Sequence, residues 1–557
     1  MVTQFVDVPL VLGTIVIAWF VKRCLGVWVA WRAIGSYPGC YIRPFQQNIV
    51  VEILAKVSRM ARLLAFDNGQ KWERKYSLFS DAGWDVIAIV SPLSPNPIEL
   101  IVADPVSIKT ITGNRILFPK PLELYAPLML YGTNLVTTEG DVWSRHRRLV
   151  SPSFKESSIR YVWEQTVRIM NEMFDDWGHE SPKRVNHIAL MVISTVAFGR
   201  KANWGSQSSP PPLGHEMHFN DALRIVSEKV LLRLALPPWV WGDKETRERM
   251  GLGGIASTGW LGSTVKEAAV AFAELELYME EMIDERSVGG FAGRRDIMGQ
   301  LMNATGDDAS DRLSKRDVIG NTYIFLFAGH ETTSHSLAFL FGLLALDQDE
   351  QEALYNHIHS VLGDREPGLN QAPNQAYEDL GSLSLVLGAF YESLRLYPPA
   401  LNIPKLSAED TTVPVMPAVK EDGTQVDPSA KPKSLLFLKG TSFYLYPPAV
   451  HYNPRYWKDP YAFKPARFLD PEWPREAFVP FSAGPRACIG RRFAEVEATA
   501  VISLVLKHYQ ITVDEARFPS IPGEEAIARR ERLLGTSQDL SLTPTNAPLV
   551  FTKRERS

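Results

Sequence analysis

The sequence predicts a mainly α-helical fold with a small β part, preceded by a membrane anchor. A helical pattern of apolar residues runs without proline from Ser314 to about Leu346. Two short runs rich in β-branched residues, Trp84–Val90 and Ile98–Val102, flank a turn with proline and asparagine, which predicts two strands. An uncharged apolar stretch near the N-terminus, Val8–Val21, predicts the anchor.

Length and composition exclude several classes of protein to which the chain could belong. The chain has 557 residues, long for one hydrophobic core, because cores usually divide beyond ~250–300 residues. Apolar residues make up 45%, too few for a polytopic membrane protein, and the net charge of −4 gives no indication of a nucleic-acid partner. The cysteines Cys24, Cys40 and Cys488 include no C-x-x-C pair, which argues against a disulfide framework and a zinc site. We therefore expect a reducing, cytosol-facing compartment.

The N-terminal stretch is interpreted as a single signal anchor over residues 1–31. As a helix, Val8–Val21 would span ~21 Å of the ~30 Å hydrocarbon core, whereas counting from Val2 gives about twenty residues with Asp7 as the one charge. Lys22 and Arg23 follow the apolar run, and by the positive-inside rule they keep the downstream chain on the cytoplasmic side. A cleaved signal peptide is the alternative, but it requires its basic region before the apolar run.

The segment Phe481–Gly490 has the pattern F-x-x-G-x-R-x-C-x-G around Cys488. A thiolate that binds a metal needs its negative charge stabilised. The residues after Gly490 form a helical pattern, whose N-terminal N–H groups would point at the sulfur. Gly484 and Gly490 have no side chains, so the backbone can lie close to a flat ligand. A lone cysteine is more commonly a buried structural residue, but five fixed positions in one window favour a metal ligand.

The long helix predicted from Ser314 carries the run Ala328-Gly329-His330-Glu331-Thr332-Thr333. Ser314 and Asp317 have the spacing of a capping box at its start. Glu331 and Thr332 could be a polar pair on the surface of an amphipathic helix. The apolar residues on both sides indicate a buried helix instead, where an unpaired carboxylate would be costly. The pair is therefore interpreted as functional.

Two further pairs each share one helix face. Trp143 and Arg147 are four residues apart, and Glu392 and Arg395 are three apart. Taken alone, the first is more commonly a packed tryptophan with a solvated arginine, and the second a surface ion pair. Arg467 follows within a P-x-R-F pattern and could join the second pair.

Together, these five motifs resemble those of the cytochrome P450 family in pattern and order, and the whole is most similar to fungal microsomal members. The resemblance implies the P450 fold, mainly α with a small β lobe, as one large domain. With the anchor it gives three parts: a membrane anchor at 1–31, a hinge or linker at 32–48 and a catalytic domain at 49–557.

The resemblance also implies roles for the motif residues. The Cys488 thiolate would bind the iron of haem b and is the expected metal ligand, and Glu331 and Thr332 would deliver protons as catalytic residues. A structural cluster that holds the cysteine loop would comprise Glu392, Arg395 and Arg467. The other residues expected to contact the cofactor are Trp143, Arg147, Ala328, Gly329, Phe481, Gly484, Arg486 and Gly490.

The implied activity is that of a haem-thiolate monooxygenase, which inserts one oxygen atom of O2 into its substrate with electrons from NADPH through NADPH–cytochrome P450 reductase. The anchor and an apolar segment at 230–241 favour a small lipophilic substrate, and we expect a terpenoid or another secondary metabolite. The expected location is the endoplasmic reticulum membrane, with a single span and the catalytic domain facing the cytosol. Two alternatives remain: a P450-fold isomerase or dehydratase that needs no external electrons, and a non-enzymatic haem-binding protein. The former often lack an acid–alcohol pair such as Glu331-Thr332.

Three surface features stay open at this point. Residues 113–139 form a long aromatic loop, which in the family covers the substrate pocket. The segment 230–241 is either ordinary core or a lid that dips into the bilayer. Four arginines are either a basic patch that steers an acidic electron donor or parts of solvated helices. They are Arg145, Arg148, Arg491 and Arg492.

Overall fold

A computed structural model describes a defined part of the chain, in two units that we call unit 1 and unit 2. The described residues are 13–14, 17–26, 28, 40–42, 68–91, 98–177, 192–193, 195–196, 210–236, 260–289, 295–303, 312–363, 365, 377–538, 541–545 and 547–555. Unit 1 comprises Met1–Pro121, Ala400–Ala462 and Pro474–Ala487. Unit 2 comprises Leu122–Pro399, Phe463–Trp473 and Cys488–Ser557.

Helices and strands are numbered along the chain. The helices are α1 (Asn68–Arg74), α2 (Ser77–Ala82), α3 (Pro105–Gly113), α4 (Gly140–Val150), α5 (Glu156–Trp177), α6 (Phe219–Ala235), α7 (Trp260–Gly289), α8 (Ile297–Asn303), α9 (Lys315–Leu346), α10 (Gln348–Leu362), α11 (Ser384–Leu396), α12 (Pro447–His451), α13 (Arg491–His508) and α14 (Ala526–Leu533). The strands are β1 (Cys40–Ile42), β2 (Val86–Val90), β3 (Ile98–Val102), β4 (Ile403–Leu406), β5 (Thr411–Val415), β6 (Lys433–Phe437), β7 (Ser442–Leu445), β8 (Tyr509–Val513), β9 (Thr536–Gln538), β10 (Leu542–Pro544) and β11 (Leu549–Lys553). Helix is the predominant structure, as predicted.

The main sheet belongs to unit 1 and has the order β1-β2-β3-β7-β4. β2 and β3 pair antiparallel with Val86 opposite Val102, and β3 pairs parallel with β7 with Leu100 opposite Phe443. All five residues of β2 are buried, which explains why the strand is an apolar run rather than an alternating one. The two strands predicted from the sequence are thus confirmed. A separate hairpin, β5 with β6, lies in the same unit.

Part of the predicted hinge at residues 32–48 is a strand. Cys40–Ile42 forms β1, which pairs parallel with β2 so that Cys40 lies opposite Ala88. These residues therefore belong to the sheet of unit 1, and the rest of the predicted hinge lies outside the described residues.

Helix α9 is the central helix of unit 2. Its side chains are apolar on nearly every face, so it is stable only when surrounded by other elements, and it contacts α10, α11, α13 and β8. The predicted capping box at its start is confirmed: Asp317 N–H donates to Ser314 Oγ at 3.1 Å, and Ser314 N–H donates to Asp317 Oδ2 at 3.1 Å. The helix ends at Leu346, where the sequence pattern also ends.

The predicted loop at 113–139 is mostly irregular apart from a 3-10 helix at Leu122–Leu128. The second half of this loop contacts α9 through a hydrogen bond and an aromatic ring pair. The Leu135 N–H donates to Asn321 Oδ1 at 2.9 Å, and the Tyr131 ring packs edge-on against Tyr323. Tyr131 is therefore held against the central helix of unit 2, whereas Phe118 packs edge-on against Phe443 of β7 in unit 1.

The anchor prediction is tested only in part. Residues 17–26 are helical, but half of the predicted apolar run Val8–Val21 and most of the segment 1–31 lie outside the described residues. Among the residues that the model describes, no helix combines the length and the low polarity that crossing a bilayer requires.

Candidate active site

The first half of the cysteine loop belongs to unit 1. It contains a 3-10 turn over Gly484–Arg486, after a left-handed residue at Ser482 (φ +59°). Gly484 has φ +68°, and a Cβ there would collide with the carbonyl oxygen of Thr112 at the end of α3. Only glycine satisfies both conditions, because it has no Cβ and adopts positive φ without strain. The glycine at position 484 of the motif thus has a local packing reason. Phe481 and Arg486 lie in this half of the loop and are partly buried.

Cys488 begins the part of the loop that belongs to unit 2. Its side chain is accessible to solvent and forms no disulfide. Helix α13 starts three residues later, with Gly490 as its N-cap, and the Gly490 N–H donates to the sulfur. Enough protein surrounds the thiol on its other sides that burial raises its pKa, although that N–H and the cations Arg147 and Arg491 oppose the rise. Without a metal, the thiol therefore keeps its proton at neutral pH.

This environment fits a thiolate-bound iron. A metal ion replaces the proton of such a thiol, and the Gly490 N–H and the two arginines then stabilise the sulfur charge. Trp143 and Arg147 lie on α4, as the sequence predicts, with Trp143 buried and Arg147 half-buried. Burial lowers the pKa of Arg147, and the nearby Cys488 opposes that change. Arg147 is thus placed beside the sulfur, where a negatively charged group of a cofactor would also be favoured.

Within the Ala328–Thr333 motif, helix α9 becomes accessible to solvent. Residues 317–327 are all buried and Thr333 and Ser334 are buried again, whereas Ala328 is exposed and the four residues after it are intermediate. The Thr332 hydroxyl donates to the Ala328 carbonyl oxygen at 2.8 Å. Glu331 Oε1 accepts a hydrogen bond from Ser541 Oγ at 3.0 Å. A carboxylate and a hydroxyl therefore lie together at a gap in an otherwise buried helix.

Gly329 has a packing role in this motif. A Cβ at this position would lie 3.1 Å from Ile193 Cδ1. A contact that short requires the isoleucine to move, so the residue is small because another side chain packs onto the helix there. This packing is sufficient to explain why the residue is glycine.

Glu392, Arg395 and Arg467 form the cluster that the sequence predicts. Arg395 Nε donates to Glu392 Oε2 at 2.7 Å and its Nη2 donates to Oε1 at 2.8 Å, and neither side chain is exposed. Arg467 Nε and the Lys464 N–H add bonds to Oε1 at 3.0 and 2.9 Å. The carboxylate thus accepts four hydrogen bonds, which is what a charge removed from water requires. Gly388, one turn before, allows the Pro465 carbonyl to approach α11 closely.

Most arginines of the possible basic patch are paired with carboxylates, which the sequence does not indicate. Arg491 Nε donates to Glu495 Oε1 at 2.8 Å, and Arg492 Nη1 lies 3.4 Å from Glu495 Oε2. Arg145 pairs with Asp317 at 3.3 Å. Three of the four arginines therefore have a carboxylate partner, which lowers the positive charge that they present to an electron donor.

Some functional contacts could not be found from the sequence. Ser541 and His335, which lie beside Glu331, carry no motif, although His335 follows Glu331 by one helical turn. The apolar segment 230–241 is described only to residue 236: residues up to Ala235 end α6, and the rest lies outside the described residues.

Comparison with known proteins identifies the family. The cytochrome P450 family model matches residues 255–535. Cytochrome P450 monooxygenase 124 of Postia placenta is 40% identical over 494 residues, which cover 87% of this chain and 88% of that protein. Cytochrome P450 monooxygenase ORF6 of Penicillium roqueforti is 28% identical, covering 82% of this chain and 80% of that protein. Cytochrome P450 4F11 of Homo sapiens is 27% identical, covering 75% and 76%.

The matched region includes the α9 motif, the Glu392 cluster and the cysteine loop, in the order that the sequence analysis predicts. Two of these relatives are fungal proteins. The chain therefore belongs to the cytochrome P450 family and is a monooxygenase whose cofactor is haem, bound in this family through a cysteine thiolate.

Proposed function

We propose that Cys488 is the iron ligand and that the protein oxygenates a small lipophilic molecule with electrons from NADPH–cytochrome P450 reductase. The observation that carries the proposal is the open Cys488 thiol, which receives the Gly490 N–H and lies near Arg147 and Arg491. Bound haem supplies the redox centre at which dioxygen is reduced and cleaved.

The side chains around this centre bind and orient the cofactor in this proposal. Trp143, Arg147 and Arg486 would donate to its carboxylates, because an indole N–H and guanidinium groups are suited to anionic oxygen. Phe481, Gly484 and Gly490 would shape the loop around the thiolate. Ala328 and Gly329 would line the opposite face, and the exposure of Ala328 on a buried helix supports that placement.

Glu331 and Thr332 would supply protons. Reducing dioxygen to water and one inserted oxygen atom consumes two protons, which must reach a site that excludes bulk water. The Thr332 hydroxyl already donates to the Ala328 carbonyl, so its oxygen can accept a further hydrogen bond and orient the group that receives the proton. Glu331, half-buried and one residue earlier, carries the exchangeable proton.

The proposed location is the endoplasmic reticulum membrane, with residues 1–31 as a single anchor and the catalytic domain, which includes strand β1, on the cytosolic side. The described helical residues at 17–26 and 28 support contact with lipid, because their large apolar side chains are exposed. These are Ile17, Trp19, Phe20, Val21, Leu25 and Trp28. Basic residues follow the apolar run rather than precede it.

A terpenoid or another secondary metabolite is the proposed substrate class. The apolar end of α6, with Val230 and its neighbours, supports a lipophilic ligand in this region of unit 2. The similarity to fungal P450 monooxygenases also supports it.

Turnover with isotopic oxygen tests the proposed reaction. The full chain in nanodiscs is combined with reductase, NADPH, ¹⁸O2 and a panel of lipophilic compounds that first show a substrate-type binding spectrum. We expect one ¹⁸O atom in the product and no product without reductase. Conversion that needs neither NADPH nor reductase would support the isomerase or dehydratase alternative instead. Binding spectra without any conversion would support a haem-binding protein that is not an enzyme.

A further inference from the structure

A buried hydroxyl joins Glu331 to a histidine one turn later on α9. Ser541 Oγ lies 3.0 Å from Glu331 Oε1 and 3.0 Å from His335 Nδ1. Ser541 immediately precedes β10 and is 7% exposed. Because β10 packs on α9, the serine is held at the helix by the strand rather than by its own chain neighbours. The three polar groups form one continuous chain of hydrogen bonds within unit 2.

The hydrogen-bond directions in this chain follow from the number of protons. A serine hydroxyl has one proton, and here Ser541 donates it to Glu331 Oε1. The Ser541 oxygen must then accept at its other contact, so His335 carries a proton on Nδ1. Thr543 agrees with this tautomer: its hydroxyl lies 3.3 Å from the Ser541 carbonyl oxygen as donor, which leaves its oxygen to accept from Nδ1 at 3.4 Å. The two bonds that link His335 to Glu331 through Ser541 therefore both point toward Glu331.

We propose that His335 and Ser541 are a proton relay that reloads Glu331 between turnovers. This inference rests on the proposed role of Glu331 as a proton donor. Starting from a doubly protonated imidazole and an ionised Glu331, the Nδ1 proton moves to Ser541 Oγ while the Ser541 proton moves to Glu331 Oε1. The products are a neutral imidazole that keeps its Nε2 proton, an intact hydroxyl and a protonated carboxyl. Once Glu331 has passed its proton on, the Ser541 hydroxyl turns back to Glu331 Oε1. The imidazole, which is partly solvent-accessible, then takes a proton from solvent at Nδ1, the nitrogen that lost one.

Neither relay residue needs to touch substrate or cofactor. Ser541 and His335 act through Glu331, so substrate binding should not change when they are replaced. What should change is the rate at which Glu331 recovers a proton. Electrons that arrive before that recovery are lost to hydrogen peroxide rather than used for product. The relay therefore predicts a split between product formation and NADPH consumption.

Four variants test the relay in the haem-loaded full chain with reductase. Ser541→Ala removes the hydroxyl, Ser541→Thr keeps it, and His335→Gln keeps a hydrogen-bonding side chain that cannot pass a proton. Ser334→Ala is the matched control, because the nearby Ser334 hydroxyl donates only to the backbone oxygen of Glu331 at 3.2 Å. The carbon monoxide spectrum of each variant gives the concentration of folded enzyme, to which all rates are normalised.

We expect Ser541→Ala and His335→Gln to lower product formed per NADPH about tenfold, less than the ~10²-fold that loss of a proton donor itself costs, because water can partly replace the hydroxyl. Both should also enlarge the solvent isotope effect on product formation. Ser541→Thr and Ser334→Ala should stay within twofold of the wild type. Normal product per NADPH in both Ser541→Ala and His335→Gln would overturn the relay.

An infrared measurement on the resting protein tests the same contact without turnover. Difference spectra between acidic and neutral buffer contain the Glu331 carboxyl band, which Glu331→Gln identifies by removing it. Ser541→Ala should shift that band, since the protonated carboxyl loses its hydrogen bond with the Ser541 hydroxyl at Oε1, and Ser541→Thr should restore it. An unmoved band would overturn the inference.

The same variants distinguish a failure of the proposed role of Glu331 from a failure of the relay. If Glu331→Gln leaves product per NADPH unchanged, the proton-donor role of Glu331 is wrong and the relay falls with it. If Glu331→Gln uncouples the enzyme while Ser541→Ala and His335→Gln do not, the relay is wrong and the role of Glu331 stands.

Discussion

Two carboxylates on neighbouring helices of unit 2 have opposite surroundings. Glu392 on α11 is fully buried and accepts four hydrogen bonds, three of them from arginine side chains. Glu331 on α9 is half-buried and shares its bond with a serine hydroxyl that also contacts a histidine. The first arrangement fixes a charge permanently, because its donors are arginines that do not lose protons. The second can gain and lose a proton, because each of its partners can pass one on.

The difference separates a structural carboxylate from one that can do chemistry. Both residues lie in motifs that the family shares, and both are acidic groups on buried helices. Their burial and their hydrogen-bond partners distinguish them. If this comparison is right, replacing partners of Glu392 should cost stability, whereas replacing partners of Glu331 should cost coupling of electrons to product.

The largest effect should follow from Arg395→Ala. Removing one member of a buried ion pair leaves an uncompensated charge, which costs about 3–5 kcal/mol. We expect a loss of that size in the free energy of unfolding, measured by urea denaturation of the full chain in detergent. Arg168→Ala is the control, since Arg168 pairs with Glu172 in a solvent-accessible i,i+4 arrangement worth about 0.3–0.5 kcal/mol. Equal losses in the two variants would break the comparison.

The buried carboxylate of Asp85 in unit 1 allows the comparison to be extended to the pH dependence of stability. Burial raises its pKa to about 7, although Tyr76 and Arg455 oppose the rise, and the Arg455 contact is long at 3.8 Å. The unfolded chain loses this proton near pH 4 and the folded chain near pH 7, so stability should fall as pH rises between those values. The total is at most about 4 kcal/mol, at 1.36 kcal/mol per unit of pKa.

Asp85→Asn tests whether Asp85 causes this fall of the free energy of unfolding with pH. Urea unfolding at pH 5 and pH 8 should show a smaller loss of stability on going to the higher pH in the variant than in the wild type. Tyr76 O–H donates to Asp85 Oδ1 at 2.6 Å, and the amide oxygen of asparagine can keep that bond. Identical pH dependence in the two proteins would show that Asp85 is ionised throughout this pH range.

Thr332→Ala should change chemistry far more than stability. The variant loses one hydrogen bond to the Ala328 carbonyl, worth about 1 kcal/mol. Loss of a positioned proton-transfer group typically costs about 10²-fold in rate, equivalent to roughly 2.7 kcal/mol. We therefore expect hydrogen peroxide release to rise and product per NADPH to fall by that order, with a nearly unchanged unfolding midpoint. Tight coupling in this variant would remove Thr332 from the proton path.

The smallest effect should come from Gly329→Ala. Alanine favours the helix by about 0.8–1 kcal/mol, but its Cβ would crowd Ile193 at 3.1 Å, so the two contributions nearly cancel. The double variant with Ile193→Val should be at least as stable as the wild type. If it is stable yet no longer couples electrons to product, the glycine is also needed at the open face of the motif.

Local features were the ones that the sequence could predict. The capping box at Ser314 and strands β2 and β3 depend on residues close in sequence, and all are confirmed. The Glu392 cluster was predictable because two of its members are one turn apart and the third lies in a recognisable pattern.

Contacts between distant segments could not be predicted in this way. Ser541 reaches Glu331 across 210 positions of sequence, and no periodicity links them. The packing of Ile193 on Gly329 could not be predicted either, since a glycine in a motif does not identify which residue packs against it. The strand at Cys40–Ile42 was missed because three residues are too short for an alternating pattern.

The central claim is that the sulfur of Cys488 binds the haem iron, and one spectrum tests it directly. Cys488→Ser and Cys24→Ser each replace an exposed, unpaired cysteine, so they form a matched pair. The reduced proteins are treated with carbon monoxide and the Soret band is recorded. We predict that Cys24→Ser keeps the red-shifted band of a thiolate ligand and that Cys488→Ser loses it. A red-shifted band that survives in Cys488→Ser would contradict the account.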